Sequence, residues 1–204
     1  MTEKEKMLQG KIYDPSDMEL MRIRHNAHLL CAKYNKLEDD NDSKRQDIIN
    51  ELIPQNNGVY LQGPIYFDYG CFTTFGKGCY ANFNLTILDI CPVNIGDNVF
   101  MGPNVSIVTP MHPFIPLERQ MYKNEFGVVT DKEYGKPITI KSNCWIAANV
   151  TICGGVTIGE GTVIGAGSVV TKSIPSGVLA AGNPCKVIRA LNEYDSIYLN
   201  KKLF

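Results

Sequence analysis

The feature that most constrains the fold of this 204-residue chain is an aliphatic residue that returns at every sixth position. From residue 140 the series is unbroken and comprises Ile140, Ile146, Ile152, Ile158, Ile164 and Val170. The residues four positions after each member are small or β-branched. An α-helix scatters such positions around its axis, whereas a short strand followed by a tight turn returns the same side-chain role each time. The spacing therefore predicts stacked strands that bury the aliphatic series.

The same spacing extends upstream through Ile95, Met101 and Ile107, and in a second register through Phe75, Ala81 and Ile87. The step of eight from Ile87 to Ile95 predicts two extra residues in the turn near Cys91 and Pro92. Three six-residue faces make a triangular coil of about eighteen residues. At this coil length, residues 57–190 are predicted to form about seven coils of an all-β solenoid. A β-sandwich with coincidental spacing is the alternative, and six consecutive matches disfavour it.

The segments outside the repeat are predicted separately. Residues 1–56 form a helical segment, with one helix over 17–36 capped by Ser16 or Asp17 and a second over 43–53. Residues 191–204 form a tail, and the sequence is compatible with either a strand or a loose end there. The repeat is lost in a loop over 110–136, longer than the roughly 12–15 residues of ordinary loops. Its prolines and apolar residues predict a packed extension over a ligand.

Composition narrows the classes of function. Twenty basic and twenty-one acidic residues give a net charge of −1, which predicts neither nucleic acid nor an anionic membrane as partner. The first residues hold no continuous apolar segment, so we expect a cytoplasmic protein. The seven cysteines have irregular spacing and are expected to be reduced, buried fillers. A metal hydratase on such a helix needs about three histidine ligands, and only His112 falls in the repeat region, so no metal is predicted.

Several segments carry a resemblance to a known family: YANFNLTILD, NVFMGPNVSIVTPMHP, WIAANVTICGGVTIGEGTVIGAGSVVTKSIP and AAGNPCKVIR. Over nearly the whole chain they resemble the maltose and galactoside O-acetyltransferases of the hexapeptide-repeat superfamily. The resemblance implies a left-handed parallel β-helix, a homotrimer and active sites between neighbouring subunits. It also implies acetyl transfer from acetyl-CoA to a hydroxyl of a maltose-, glucose- or galactoside-type sugar. Left-handed crossovers are rare, so sequence physics alone favours the other hand.

Two residues are predicted to be catalytic. Acyl transfer needs a base for the incoming hydroxyl and donors for the oxyanion. His112 stands at the root of the long loop and is predicted to be the general base, whereas His25 and His28 on the first helix are expected to be solvated or structural. Asn82 resembles the family's active-site asparagine, which places the acceptor, stabilises charge and contacts the cofactor. An asparagine that only orders its turn is the alternative for Asn82.

The remaining candidates contact the two substrates. Asp14 and Asp68 match acceptor-contact positions of the family, and weaker acceptor candidates are Arg24, Tyr80, Asp89 and Glu133. For acetyl-CoA, small residues on successive coils are expected to face pantetheine, namely Ala148, Gly165 and Ala166. The residues expected near its phosphates are Thr171, Lys172, Lys186 and Arg189. Surface carboxylates and a solvated basic face are the alternative interpretations.

Two other functions remain open. The same scaffold and base suit O-acetylation of a xenobiotic such as chloramphenicol, with a different acceptor pocket. A non-enzymatic binding solenoid predicts a regular outward rank of one residue type. Thr139, Thr151 and Thr157 do not form such a rank, and a scaffold leaves the long loop unexplained.

Overall fold

Three α-helices precede a parallel β-solenoid in the computed structural model, which describes residues 1–38, 42–199 and 201–203. Their bounds are Glu3–Leu8 (α1), Met18–Tyr34 (α2) and Asp42–Leu52 (α3). The predictions over 17–36 and 43–53 are confirmed, and Asp17 caps α2 by accepting hydrogen bonds from the next backbone N–H groups. Helix α1 was not predicted. Its Thr2 and Glu5 form a capping box, a T-x-x-E pattern that signals a helix start.

The solenoid strands form three faces in which each strand pairs in parallel with the strand one coil later. The first face contains Tyr60–Leu61, Tyr80–Ala81, Phe100–Met101, Trp145–Ile146, Val163–Ile164 and Val178–Ala181. The second face contains Ile65–Phe67, Leu85–Leu88, Ser106–Val108, Thr151–Cys153 and Val169–Val170. The third face contains Thr73–Phe75, Val93–Ile95, Ile138–Ile140 and Thr157–Ile158. This arrangement confirms the predicted triangular coil.

The strand register corrects the predicted number of coils. Tyr60 pairs with Tyr80 and Tyr80 with Phe100, so the early coils are longer than the predicted eighteen residues. Trp145 pairs with Val163, at the predicted spacing. The first face holds six parallel strands, and hence about six coils rather than seven. The prediction of seven was wrong because it counted the residues between Val108 and Ile138, which leave the solenoid, as part of a coil.

The aliphatic series fills the interior as predicted. Every member from Ile140 to Val170 has no exposed surface, and the upstream register of Phe75, Ala81 and Ile87 is equally buried. Burying one such side chain stabilises a fold by about 1.5–3 kcal/mol, so the stacked column contributes substantially to the stability of the solenoid. The longer step after Ile87 falls in the turn before Val93, where it was predicted.

Two corners of the triangle matter for the site. The first corner joins the first and second faces at residues 82–84, 102–104, 147–149 and 165–167. Here Asn84, Asn104 and Asn149 have φ values of 62°, 60° and 58°, a left-handed conformation that asparagine tolerates. Their side-chain amides hydrogen-bond from coil to coil, at 2.9 and 3.0 Å. The second corner joins the second and third faces at residues 68–72, 89–92, 109–137, 154–156 and 171–173.

The long excursion at the second corner, residues 109–137, is built from short antiparallel pairs. Pro110–Met111 pairs with Tyr134–Gly135 at its root, Tyr122–Lys123 pairs with Val129–Thr130 in a hairpin, and Pro116–Arg119 is a 3-10 turn. In the single chain Phe114 and Phe126 are 79% and 80% exposed. The packing of the excursion over a ligand stays a prediction.

The last strand, Lys186–Ala190, runs antiparallel to Val178–Ala181 and ends the solenoid. Three 3-10 turns follow at Glu193–Asp195, Ile197–Leu199 and Lys201–Leu203, so the described tail is neither a strand nor a loose end. Asn200 and Phe204 of the predicted tail, and residues 39–41 of the predicted N-terminal segment, lie outside the described residues. No helix in the described part of the chain has the length and apolar character to cross a membrane.

All seven cysteines are free thiols, as predicted. The expectation that all seven are buried is wrong for Cys71, which is exposed, and for Cys153, which is half-buried. Cys71 lies in the turn between the second and third faces, where the six-residue pattern is interrupted and no inward position is reserved for it.

Candidate active site

Side chains from four separate segments meet beside the second corner. The N-terminal segment, α2, the coil after Phe67 and the excursion supply a connected group, here called the corner cluster. Hydrogen bonds and charge interactions link its members, which are Tyr13, Arg24, Asp68, Tyr69, His112, Asp131 and Glu133. Four of these were predicted from the sequence as site residues: Arg24, Asp68, His112 and Glu133.

The surroundings of His112 fix the useful form of its ring. Nδ1 lies 3.2 Å from Asp131 Oδ2 and 3.4 Å from the carbonyl oxygen of Lys132. Both neighbours are acceptors, so a neutral imidazole carries its hydrogen on Nδ1. Nε2 is then the basic nitrogen, and it lies 3.9 Å from Glu133 Oε1, too far for a direct hydrogen bond. The ring is half exposed, and Nε2 can take a proton from a bound hydroxyl.

Glu133 joins the excursion to the N-terminal segment. Its backbone carbonyl accepts a hydrogen bond from Tyr13 N–H at 3.0 Å, and its carboxylate accepts one from the Tyr13 hydroxyl. Burial raises the pKa of Glu133, as do the charges of Asp131 and Asp68, while Tyr13 and His112 act in the opposite direction. Burial and the neighbouring Glu133 also raise the pKa of Tyr13. The hydroxyl of Tyr13 therefore stays protonated and holds the carboxylate in place.

Asp68 is a poorly solvated carboxylate in this cluster. Its side chain is 24% exposed, and burial, with a smaller effect of the Asp89 charge, raises its pKa to about 6 against the opposing charge of Arg24. Arg24 is itself held by the Tyr69 hydroxyl at 3.1 Å and by the carbonyl oxygen of Pro15. Asp68 therefore faces the site with weak compensation for its charge.

Asp68→Asn is expected to stabilise the protein at high pH. The folded state holds the Asp68 proton up to pH of about 6, against 3.8 for the unfolded chain, so stability falls as pH rises between these values. Removing the charge should recover up to about 3 kcal/mol at pH 8 and almost nothing at pH 4. Denaturant unfolding at the two pH values measures this difference. Asp47→Asn, at an exposed position of α3, is the control, and equal effects at both pH values would contradict the prediction.

Asp14 anchors the excursion. Its carboxylate accepts hydrogen bonds from Thr130 Oγ1 at 2.6 Å, Asn124 Nδ2 at 2.9 Å and the Ser16 hydroxyl at 2.7 Å. Burial opposes ionisation, but these bonds outweigh it and lower the pKa of Asp14 to about 2. The Asp14 carboxylate already fixes the hairpin. The predicted contact with the acceptor therefore requires the same carboxylate to bind the hairpin and the acceptor together.

Two predicted acceptor residues do not face the corner cluster. Asp89 has no exposed surface, and its carboxylate accepts hydrogen bonds from the backbone N–H groups of Tyr69 and Gly70 and from the Thr73 hydroxyl. It holds the turn at residues 68–72 of the second corner and is closed to a ligand, so the prediction that Asp89 contacts the acceptor is wrong. Tyr80 lies on the first face, stacked on Tyr60 with a centroid distance of 5.9 Å.

Asn82 lies at the first corner, away from His112. Its backbone N–H donates to the carbonyl of Met101, and its side-chain Oδ1 accepts from Phe83 N–H at 2.8 Å. The side-chain NH2 group remains a donor. A strand advances about 3.3 Å per residue, so one face separates the two corners by roughly 15–20 Å. One chain therefore does not bring Asn82 and His112 together.

The predicted cofactor residues are divided in the same way. Ala148, Gly165 and Ala166 lie at the first corner, whereas Thr171 and Lys172 lie exposed at the second. Both Lys186 and Arg189 are on the last strand. The Arg189 guanidinium is already paired with the carboxylate of Asp195, which lowers the pKa of Asp195 to about 2.

Two sequence families match parts of the chain: the maltose acetyltransferase hexapeptide capping motif over residues 6–55 and the bacterial transferase hexapeptide (six repeats) over residues 137–172. The galactoside O-acetyltransferase of Escherichia coli (strain K12) is 39% identical over 97% of this chain and 93% of its own length. The chain belongs to the maltose and galactoside O-acetyltransferase family. The resemblance inferred from its motifs is thus confirmed.

Solved structures of this O-acetyltransferase family agree. The maltose O-acetyltransferase from Clostridium difficile 630 has a TM-score of 0.87 and 41% identity, covering 95% of this chain and 99% of that one. A galactoside acetyltransferase in complex with coenzyme A has a TM-score of 0.85 and 40% identity, covering 96% of this chain and 94% of that one. In both comparisons the matched region of this chain includes the helices and the solenoid.

Three members of the corner cluster were not predicted from the sequence. Tyr13 stands beside the predicted Asp14, Tyr69 beside the predicted Asp68, and Asp131 two residues before the predicted Glu133. In an extended segment, residues two apart point to the same side. The spacing of Asp131 and Glu133 therefore indicates that Asp131 faces the same site as the predicted Glu133. The roles of the two tyrosines depend on contacts distant in sequence and had no local signal.

Proposed function

We propose that this chain transfers the acetyl group of acetyl-CoA to a hydroxyl of a sugar acceptor of the maltose, glucose or galactoside type. The observation that carries the proposal is the orientation of His112, whose Nδ1 faces two oxygen acceptors and whose Nε2 is left basic. Buried carboxyl and hydroxyl groups around it provide partners for the hydroxyls of a sugar. Relatives named as galactoside and maltose O-acetyltransferases support the same class of acceptor.

The reaction needs one proton shuttle. His112 Nε2 removes the proton of the acceptor hydroxyl as its oxygen attacks the thioester carbonyl of acetyl-CoA. The imidazolium that forms lies beside the carboxylates of Asp131 and Glu133, which stabilise its charge. The tetrahedral oxyanion accepts a hydrogen bond from the Asn82 amide. Its collapse breaks the C–S bond, and the departing thiolate of CoA takes the proton back from His112.

We infer a homotrimer in which each active site uses two subunits. In support of this, Asn82 and His112 occupy different corners, one face apart, so one chain cannot place both at a single acetyl group. A neighbouring subunit that presents its first corner to the second corner of this chain completes the pair. Apolar excursion residues that are exposed in the single chain, including Phe114 and Phe126, are available for that contact.

The acetyl-CoA groove would lie between the same two corners. Small residues at the first corner, Ala148, Gly165 and Ala166, let pantetheine approach the backbone, and Thr171 and Lys172 at the second corner can meet its phosphates. Lys186 is exposed for the same role, whereas Arg189 must first exchange its partner Asp195. The seven free thiols favour a reducing, cytoplasmic location.

The substrate class is tested by the release of CoA thiol from acetyl-CoA in the presence of single acceptors. We expect thiol release with maltose, glucose or a galactoside, and release at the background rate with chloramphenicol. The acetylated product is confirmed by mass spectrometry. Turnover of chloramphenicol alone would favour xenobiotic acetylation on the same scaffold. If none of the tested acceptors gives thiol release above background, acetyl transfer to these hydroxyls is refuted.

A further inference from the structure

A cavity of about 300 Å3 lies between α2 and the outer side of the second face. His28 and Cys31 of α2 line it, with Asn35 at the C-terminal end of that helix, and Tyr66, Asp68 and Leu88 line it from the strands and the corner that follows. Its volume is at the lower end of the range for pockets that hold small ligands. None of the mechanistic steps above uses His28, Tyr66 or the interior of this cavity.

Polar groups are arranged along one side of the cavity. His28 Nε2 lies 3.8 Å from Asp68 Oδ1, which is longer than a hydrogen bond, so the two groups face the cavity without satisfying one another. A carboxylate accepts two hydroxyl hydrogens, and an imidazole donates or accepts one more. The pair therefore suits a ligand with adjacent hydroxyl groups.

The other walls are neutral or apolar. Tyr66 is 49% exposed and presents an aromatic ring, while Leu88 adds aliphatic surface. Burial raises the pKa of the Cys31 thiol to about 11, so it stays uncharged. The Asn35 amide is occupied by both backbone groups of Ile65. One polar edge opposite a ring and an aliphatic wall matches a sugar ring, whose hydroxyls are equatorial and whose faces are C–H surface.

The cavity adjoins the corner cluster. Asp68 belongs to both, and its charge contributes to the raised pKa of Glu133, whose carboxylate lies 3.9 Å from His112 Nε2. Asp68 is therefore the residue at which a ligand in the cavity would meet the corner cluster. An acceptor that reaches both places needs at least two linked rings.

We propose that this cavity is a second hexose subsite and that the preferred acceptor is a disaccharide or longer oligosaccharide. The ring to be acetylated lies at His112 and Glu133, and the next ring lies among His28, Tyr66 and Asp68. This inference rests on the proposed function and adds the acceptor length to it.

The test compares maltose with glucose in steady-state thiol release by wild type, His28→Ala and Tyr66→Ala. Each variant should raise KM for maltose by about tenfold, the effect of one lost hydrogen bond or stacking contact, with kcat unchanged. KM and kcat for glucose, which lacks the second ring, should stay at wild-type values. His25→Ala is the matched control, since His25 is exposed on the same helix and does not line the cavity.

Equal changes for both sugars would overturn the subsite, because they would report altered helix packing, and so would no change for either sugar. Thermal unfolding of each variant, expected at the wild-type midpoint, separates local loss of contact from misfolding. Wild-type enzyme that acetylates neither sugar would refute the proposed function instead. In that case calorimetric titration with maltose decides the subsite independently, since binding unaffected by His28→Ala would overturn it.

Discussion

Replacing His112 with alanine is expected to lower kcat by roughly 100- to 10,000-fold, the usual contribution of a positioned general base. The loss follows from the geometry at Nε2, since no other imidazole lies in the corner cluster and the Glu133 carboxylate, 3.9 Å from Nε2, is held by the Tyr13 hydroxyl. Thiol release from acetyl-CoA with a saturating sugar measures the rate. Because His112 is half exposed, the variant should fold and assemble as the wild type does.

The control for this substitution is His25→Ala on α2, which should keep the wild-type kcat. Circular dichroism and gel filtration of His112→Ala establish that secondary structure and assembly are retained. A His112→Ala protein with wild-type turnover would remove this residue from the mechanism. A second variant, Asp131→Asn, keeps an acceptor near Nδ1 but removes the charge beside the imidazolium, so its loss in kcat should be smaller than that of His112→Ala.

Asn82→Ala is expected to raise the barrier by about 3 kcal/mol, or more than 100-fold in kcat, if the amide stabilises the oxyanion. The contacts of this residue provide a matched variant. The side-chain Oδ1 accepts from Phe83 N–H at 2.8 Å, an interaction that a carboxylate retains. Asn82→Asp therefore keeps the turn but loses the NH2 donor.

The two asparagine variants separate catalysis from structure. With an oxyanion role, Asn82→Asp is as inactive as Asn82→Ala, and both unfold near the wild-type temperature. With a purely structural role, Asn82→Asp is active and only Asn82→Ala is impaired. Single-turnover rates with acetyl-CoA and maltose measure the chemical step, and an active Asn82→Asp protein would contradict the oxyanion role of Asn82.

The solenoid was predictable because its signal is local and repeated. Each member of the column from Ile140 to Val170 has the same inward position, so the spacing of six carries the geometry without knowledge of distant contacts. The number of coils was not predictable in the same way. The early coils contain more residues than the late ones, and the excursion interrupts one coil with a long segment of its own.

The candidate site was predictable only in part, for the opposite reason. Its contacts join residues far apart in sequence, such as Thr130 with Asp14 and Tyr13 with Glu133. Neither pairing leaves a pattern in one sequence. Asp89 was predicted to contact the acceptor, and that prediction was wrong. A carboxylate next to a predicted turn is as easily a buried hydrogen-bond acceptor for backbone N–H groups as a ligand contact.

We infer that each active site combines His112 of one subunit with Asn82 of another. This arrangement is tested by unfolding and refolding an equal mixture of His112→Ala and Asn82→Ala proteins, with thiol release measured before and after mixing. Random assembly places an intact His112 opposite an intact Asn82 at about one quarter of the sites of a cyclic trimer, so we expect about a quarter of wild-type activity. A mixture that assembles fully but stays as inactive as its two components would contradict it.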